Sequence, residues 1–199
     1  MEYQIPGRSS IAHIAKWYIL AMTQRSILIK DDEVAGELGF VLICSGYLVE
    51  QGKVLLVHHK GFDKWVPPGG HLETEETFSA AAVREFREET GLQVEALSAQ
   101  PDIHQQDAMA RPEPSPFYVD VEYDFPIPAI VQFYYVKRID DGPIQAQLSE
   151  VKDVCWFSFA ELDRLATFEQ VRSLARHALR NYPISTERTS MRLENGLTV

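Results

Sequence analysis

Apolar and polar residues alternate over several short stretches of this chain, and apolar residues recur at helical spacing over others. Alternating stretches and short apolar runs predict β-strands, and they lie at residues 39–49, 53–59, 92–99, 117–123, 129–139 and 151–157. Helical spacing predicts helices at about residues 9–29, 77–90, 159–165 and 167–181. Strands and helices mixed in this order predict an α/β (α+β) fold, a helix–sheet–helix sandwich.

Turn-forming residues separate these elements. Glu50-Gln51-Gly52 lies between the first two predicted strands, which we therefore expect to form a hairpin. The segment 65–70, Trp-Val-Pro-Pro-Gly-Gly, predicts a turn-rich loop that leads to the helix at 77–90. Segment 100–116 contains Pro101, Pro112, Pro114 and Pro116. This segment is predicted to be a long loop near the functional site, since so many prolines prevent regular structure throughout.

The helix that follows the glycine-rich loop has an acidic face. Residues 77–90 contain no Gly or Pro, and Gly91 stands where a helix stop is expected. Glu85, Glu88 and Glu89 are spaced i, i+3 and i+4, so their carboxylates project from one face and repel one another. A cation between them would remove this repulsion, and oxygen ligands favour Mg²⁺, Mn²⁺ or Ca²⁺ over zinc. A solvated acidic face without any ligand is the alternative interpretation.

The stretch from Gly70 to Leu92 resembles the Nudix box of MutT-like hydrolases, Gly-x5-Glu-x7-Arg-Glu-U-x-Glu-Glu-x-Gly-U, where U is a bulky apolar residue. Every defined position matches: Gly70, Glu76, Arg84, Glu85, Phe86, Glu88, Glu89, Gly91 and Leu92. The compatible strand pattern extends the resemblance over roughly residues 38–165. The resemblance implies a Nudix-type sandwich with a mixed β-sheet in a single domain, 1–199. Within it we expect an N-terminal helical extension (1–35), a catalytic core (36–165) and a C-terminal helix and tail (166–199).

The family resemblance also implies a reaction, the hydrolysis of a nucleoside diphosphate linked to another moiety. Water attacks a phosphoanhydride, and Mg²⁺, for which Mn²⁺ can substitute, neutralises charge on the phosphate oxygens. By position, Glu85 and Glu89 are the expected metal ligands, and Glu88 is a further ligand or a water-mediated one. The backbone carbonyl of Gly69 or Gly70 could complete the metal shell.

Several residues are assigned supporting roles on the same basis. The expected catalytic set is Glu76, Arg84, Glu85 and Glu88. Glu76 is expected to orient Arg84 or a bound water, and Arg84 to lock the loop to the helix rather than to contact phosphate directly. The general base is a glutamate of the box or an acid from a later loop, for which the candidates are Glu150, Asp153 and Glu122.

Substrate contacts are expected from residues on the loops and strands around the helix. The candidates are His71, Trp65, Tyr118, His104 and Arg111. Trp65 and Tyr118 could stack on a base, while Arg111 could bind a phosphate and His104 a base or ribose. For each aromatic residue, packing in the core or at the rim is the alternative. His58 and His59 alternate across a strand, so at most one of them faces the site.

Composition limits the classes of partner. The chain has 199 residues and a formal net charge of −10, which argues against binding a nucleic acid polymer. Its cysteines, Cys44 and Cys155, lie in apolar strand-like runs and are expected to be small buried hydrophobes rather than a disulfide framework. No apolar run is long enough for a membrane span, and the apolar N-terminal segment lacks a convincing cleavage site. We therefore expect a cytoplasmic protein that binds a small nucleotide, and the N-terminal helices could support a homodimer.

Two other functions are compatible with the family resemblance. A Nudix domain can bind a nucleotide without hydrolysing it and act as a ligand sensor, although the intact acidic box argues against a dead site. Isopentenyl-diphosphate isomerase chemistry would need a properly placed catalytic cysteine, which Cys44 and Cys155 do not provide. The substrate stays open among ADP-ribose, other nucleotide sugars, oxidised nucleoside triphosphates, dinucleoside polyphosphates and coenzyme A.

Overall fold

A computed structural model of the protein describes residues 39–99, 111–123 and 126–183. Several predictions lie outside the described residues: the helical extension 1–35, His104 with most of the loop 100–116, and the tail after residue 183. Among the helices that the structure describes, none is long and apolar enough to cross a membrane.

Within the described residues, nine strands form two sheets. They are β1 (Val41–Tyr47), β2 (Val49–Glu50), β3 (Lys53–His59), β4 (Lys64–Val66), β5 (Gly69–His71), β6 (Val94–Leu97), β7 (Tyr118–Glu122), β8 (Ala129–Arg138) and β9 (Val151–Ser158). The five-stranded sheet has the order β5-β1-β8-β6, with β7 also paired to β8. The four-stranded sheet has the order β2-β3-β4, with β9 paired to β3. Because β1 and β8 are parallel while the other pairs are antiparallel, the first sheet is mixed.

The predicted hairpin between residues 39–49 and 53–59 is only partly right. Strand β1 pairs with β5 and β8, and only the two residues of β2 form a hairpin with β3. The turn contains Gln51 and Gly52, both with positive φ (50° and 73°), which suits a two-residue hairpin loop. The chain changes sheets at the buried Leu48, whose carbonyl oxygen accepts from Leu55 N–H at 3.0 Å. Local alternation predicts the strands but does not indicate which partner each one pairs with.

The prediction of a loop throughout residues 65–70 is also wrong in part. Trp65 and Val66 belong to β4, and Gly69 and Gly70 belong to β5. Only Pro67-Pro68 connects the two strands, and the carbonyl oxygen of Pro68 accepts from Gly46 N–H at 2.9 Å. A prolyl-prolyl connection followed by two glycines has the composition of a loop, but pairing with β1 makes the glycines a strand.

Two α-helices and a 3₁₀ helix complete the described structure. The acidic helix α1 spans Phe78–Thr90, close to the predicted 77–90, and the side chain of Thr77 caps its N-terminus by accepting from Ala80 N–H. It ends at Gly91, as predicted, where the Gly91 N–H donates to Arg87 O at 2.8 Å. Residues 161–164 form the 3₁₀ helix, and Glu169–Asn181 form α2. The predicted helices at 159–165 and 167–181 are thus confirmed with shorter bounds.

The helices cover opposite faces of the sheets, which confirms the predicted helix–sheet–helix sandwich. On one side lies the α1-side cluster: Cys44, Leu48, Leu55, Leu72, Ala81, Ala82, Phe86, Leu92, Val94, Tyr134 and Val136. On the other lies the α2-side cluster: Tyr47, Val54, Leu56, Ala129, Val131, Phe133, Tyr135, Leu162, Leu174, Ala175 and Ala178. Both sheets contribute to both clusters, because alternate residues of each strand point to opposite faces.

The two cysteines differ from each other in burial. Both are free thiols. Cys44 is fully buried in the α1-side cluster, as predicted, whereas Cys155 is only half-buried. The expectation of two buried hydrophobes is therefore correct for Cys44 alone.

Candidate active site

Strand β5 and helix α1 approach each other closely where the acidic face lies. Glu89 is only 2% exposed, and its Oε2 accepts from Gly69 N–H at 3.0 Å. Glu85 lies against Gly70, where an added Cβ would come within 2.5 Å of the Glu85 carboxylate carbon. The glycine therefore allows a carboxylate to pack directly on the backbone of an edge strand.

Burial makes these carboxylates costly to ionise. The pKa of Glu89 is raised to about 8, mainly by burial and also by the charges of Glu85, Glu150 and Glu88. The hydrogen bond from Gly69 opposes this rise. Burial also raises the pKa of Glu85, although Arg84 opposes that change. The acidic face predicted from the sequence is therefore partly desolvated, because Glu89 is buried whereas Glu88 is exposed.

Arg84 connects the acidic residues to one another and to β5. Its guanidinium donates to both carboxylate oxygens of Glu76, at 3.1 and 2.8 Å, and to the His71 carbonyl oxygen at 3.0 Å. It also donates to Glu85 at 2.8 Å and to Glu88 at 3.2 Å. These bonds hold the segment before α1 against the helix. Hydrogen bonding to Glu76 and Glu85 raises the pKa of Arg84, so the side chain stays charged.

Glu76 is fixed from two sides. Its Oε1 accepts from Glu73 N–H at 2.7 Å in addition to the bonds from Arg84. Burial opposes ionisation of Glu76, but the bonds from Arg84 and Glu73 outweigh it and lower the pKa. Glu76 is therefore a charged partner of Arg84, eight residues later in the chain.

The residues present fit a hard divalent cation by the chemistry of their donors. Within residues 39–99, 111–123 and 126–183, no three His, Cys, Asp or Glu side chains are arranged to hold an ion as they stand. Arg84 instead cross-links Glu85 and Glu88. The available donors are nevertheless all oxygens: Glu76, Glu85 and Glu88 share a single arginine, and Glu89 has no such partner among the described residues. Such a set suits Mg²⁺ or Mn²⁺ rather than zinc.

Of the three later acids that the sequence suggests as bases, Glu150 lies near the acidic face. Its charge raises the pKa of both Glu85 and Glu89. Asp153 lies opposite His58 on β9, and its carboxylate accepts from Val154 N–H at 2.8 Å. Glu122 is on β7, and its charge raises the pKa of Tyr47 in the α2-side cluster.

The segment that precedes β9 explains the position of Glu150. Gln145 N–H donates to Thr90 O at 2.8 Å and Gln147 N–H to Glu89 O at 3.1 Å, so the segment follows the end of α1. Glu150 O in turn accepts from Lys60 N–H at 3.0 Å. Sequence analysis missed Gln145 and Gln147, and no sequence signal could have found them, because they act through backbone groups.

The predicted substrate contacts are not all brought together. His71 is on β5 beside Arg84. Trp65 stacks on His58, with ring centroids 5.0 Å apart, and meets Phe157 edge-on at 4.8 Å, so much of its ring is already packed. Tyr118 is 46% exposed on β7.

Arg111 is exposed, and two residues later Glu113 accepts from the Ser79 hydroxyl in the first turn of α1. His104 is outside the described residues. The binding roles of these residues stay predictions.

Comparison with known proteins agrees with the geometry. A family model described as the NUDIX domain matches residues 43–179. The bis(5′-nucleosyl)-tetraphosphatase (asymmetrical) of Mus musculus is 25% identical over 122 residues, which cover 60% of this chain and 73% of that protein. A NUDIX-family hydrolase structure from Clostridium perfringens is 25% identical, with a TM-score of 0.59, over 70% of this chain and 95% of that one.

A second similar structure was solved with a ligand. The NUDIX domain of Shewanella oneidensis NrtR, solved with ADP ribose, is 19% identical, with a TM-score of 0.51, over 71% of this chain and 87% of that one. At this identity the likeness concerns the fold alone.

Proposed function

Because the chain belongs to the Nudix hydrolase family, we propose that it is a metal-dependent pyrophosphohydrolase that cleaves a nucleoside diphosphate linked to another moiety. The observation that carries this proposal is the buried Glu89 carboxylate on α1, which packs with Glu85 against the glycines of β5 within a complete Nudix box. Burying carboxylates is unfavourable unless a cation compensates them. A site that neutralises a diphosphate needs such a cation.

In this proposal, Glu85 and Glu89 hold Mg²⁺ or Mn²⁺ and Glu88 joins them directly or through a water. The carbonyl of Gly69 or Gly70 supplies a neutral ligand. When bound, the metal offsets the charge of the phosphate oxygens and lowers the pKa of bound water. The protein itself contributes positioning, since phosphoryl transfer requires little covalent work from side chains.

Arg84 and Glu76 act as positioning residues. The guanidinium fixes the carboxylates of Glu85 and Glu88 and the backbone of His71 in one rigid arrangement. Glu76 fixes the guanidinium by accepting two hydrogen bonds. This favours the locking role of Arg84 over direct contact with phosphate, because its donors are already occupied.

Glu150 is the proposed general base. It is exposed and therefore accessible to water, yet its charge reaches Glu85 and Glu89. A base must lie within hydrogen-bond reach of the attacking water, either directly or through one more water. Asp153 instead accepts from Val154 N–H on β9, and Glu122 lies on β7, where its charge acts on Tyr47.

Dinucleoside polyphosphates are the first substrate class to test. The relative from Mus musculus is named for that class, and its alignment covers 60% of this chain. Nucleotide sugars and nucleoside triphosphates share the phosphoanhydride, so they belong in the same panel. The NrtR domain solved with ADP ribose is similar to this chain in fold alone. It therefore does not favour ADP-ribose as the substrate here.

The isomerase alternative receives no support from the thiols. Burial, with the charge of Glu85, raises the pKa of Cys44 to about 12. Burial and Asp153 also raise the pKa of Cys155. Reactive cysteines need a lowered pKa, so neither thiol suits catalysis at neutral pH.

The deciding experiment is a substrate panel with Mg²⁺ or Mn²⁺ in H₂¹⁸O, with wild type and Glu89→Gln side by side. Turnover of at least one member, with ¹⁸O in a released nucleotide or phosphate, and its loss in the variant support the hydrolase. Tight binding of a nucleotide without any turnover would favour the ligand-sensor alternative. If no member of the panel is either bound or hydrolysed, the proposal is overturned.

A further inference from the structure

The imidazole of His59 is held in one tautomer by its own turn. Its Nδ1 accepts from the backbone N–H groups of Gly61 and Phe62, at 3.1 and 3.3 Å. A nitrogen that accepts two such bonds has no proton, so the neutral ring carries its proton on Nε2. The Phe62 ring packs against the imidazole, with centroids 4.5 Å apart. Burial lowers the pKa of His59, although the charge of Glu150 opposes this change. The lowered pKa also favours the neutral ring.

His59 and its neighbour His58 point to opposite faces of β3. Leu55 and Leu56 belong to the α1-side and α2-side clusters respectively. Continued alternation directs His58 to the α2 side, where it stacks on Trp65. His59 is directed to the α1 side, which is the side of the acidic face. The register shift between the two histidines lies at the end of the strand, next to the turn.

A series of backbone hydrogen bonds joins the His59 turn to the acidic end of α1. Lys60 N–H donates to Glu150 O at 3.0 Å, and Glu150 N–H to Gln147 O at 3.2 Å. Gln147 N–H donates to Glu89 O at 3.1 Å. The charge of Glu150 acts on His59 as well as on Glu85 and Glu89. The His59 turn is therefore tied through the backbone to the end of α1 that carries Glu89.

A neutral N–H donor has a specific use at an acidic site. The nearby ammonium of Lys60 already donates to the carbonyl oxygens of Leu148 and Ser149. An imidazole N–H can bind a phosphate oxygen without being neutralised by the neighbouring glutamates, since it carries no charge. Its two backbone partners fix the ring before the substrate arrives, which reduces the entropy lost on binding.

We propose that His59 is a further substrate-contacting residue, whose Nε2–H donates to a non-bridging phosphate oxygen of the substrate. The inference rests on the proposed function, because it assigns a contact to the same diphosphate. His58, although adjacent, makes no such contact.

Kinetics of matched variants test the assignment. His59→Ala should raise KM for the best substrate of the panel about tenfold, as expected for one lost hydrogen bond to a charged group, with a smaller effect on kcat. His59→Gln should recover part of the affinity, because its amide N–H can replace Nε2–H. His58→Ala is the control and should leave KM unchanged. A wild-type KM for His59→Ala, or an equal rise in KM for His58→Ala, would overturn the assignment.

Nuclear magnetic resonance of the imidazoles separates this inference from the proposed function. In ¹⁵N-histidine-labelled wild type, the ring signals should identify His59 as the Nε2–H tautomer. Adding inorganic diphosphate with Mg²⁺ should shift the His59 Nε2 signal and leave that of His58 in place. If His59 stays unshifted while other signals report binding, the inference fails and the hydrolase proposal stands. If the panel shows no turnover but the His59 signal shifts, the phosphate contact stands and the hydrolase proposal fails.

Discussion

The carboxylate of Glu89 accepts a 3.0 Å hydrogen bond from the backbone N–H of Gly69, twenty residues earlier in the chain. This bond joins the acidic helix α1 to the edge strand β5 at a point where Glu89 is almost completely buried. A glutamate at such a point lowers the stability of the metal-free protein, since desolvation disfavours its charge. The arrangement is understandable if a cation binds there.

Chelation should abolish hydrolysis. The donors on α1 are carboxylates that repel one another, so the proposed reaction depends on a divalent cation. We expect activity on the best substrate to disappear in excess EDTA and to return with Mg²⁺ or Mn²⁺, measured as released phosphate or monophosphate. Full activity in excess EDTA would contradict the metal assignment.

Glu89→Gln should separate folding from activity. The amide is nearly isosteric, and its oxygen can still accept from Gly69 N–H, while the repulsion from Glu85 is removed. We expect kcat to fall by at least about 100-fold, as for loss of a metal ligand that stabilises the transition state. The midpoint of urea unfolding without metal should stay the same or rise. Wild-type turnover in this variant would show that Glu89 is not a metal ligand.

The metal-free protein should lose stability as pH rises from about 4.5 to 8. Burial raises the pKa of Glu89 from an ordinary value of 4.5 to about 8, so in this window the folded protein binds more protons than the unfolded chain. The free energy of unfolding therefore falls with rising pH, by up to about 1.4 kcal/mol per pH unit from this group. Urea unfolding at several pH values measures the slope.

Two comparisons identify the source of that slope. Glu89→Gln should flatten it, because the titrating group is gone. Saturating Mg²⁺ should oppose the loss at high pH, since a ligand of the folded state stabilises it. An identical slope in wild type and variant would mean that other groups dominate the pH dependence.

Gly70→Ala should damage the metal site more than the fold. The added Cβ would come within 2.5 Å of the Glu85 carboxylate carbon, so Glu85 would have to move away from β5. We expect Mn²⁺ affinity, measured by isothermal titration calorimetry, to fall about tenfold or more, in the range seen when metal-supporting contacts are lost. Thermal unfolding monitored by circular dichroism serves as the control for the fold. Unchanged Mn²⁺ affinity would place the metal away from Glu85.

Glu150→Gln should lower kcat without affecting folding. The Glu150 side chain is exposed, and its structural contact with Lys60 uses the backbone carbonyl, which the variant retains. Loss of a general base should reduce kcat by about 100-fold or more. Asp153→Asn, the same change of charge three residues later, is the matched control and should keep nearly full turnover. Equal losses in both variants would indicate a general electrostatic effect instead of a base.

Much of α1 could be predicted because its signals are local. A stretch free of Gly and Pro, the stop at Gly91 and the spacing of Glu85, Glu88 and Glu89 depend on residues within a few turns of one another. The same stretch matches the Nudix box, and the family model confirms that membership. The order of strands and helices likewise predicted the sandwich, since each element carries its own periodicity.

The pairing of strands could not be predicted from the same patterns. Residues 39–49 and 53–59 read as one hairpin, but β1 pairs with β5 and β8 while β2 alone turns back onto β3. Alternation reports that a segment is a strand with two different faces. It does not report which distant segment supplies the hydrogen bonds, because that depends on contacts across the whole chain.

By itself, the sequence determined the acidic helix, the family and the chemical type of the donors. Only the tertiary structure decided that Glu89 is buried against Gly69 and that the segment carrying Glu150 follows the acidic end of α1. The physical reason is that residue type and spacing fix local geometry, whereas burial and electrostatic environment arise when segments distant in sequence pack together.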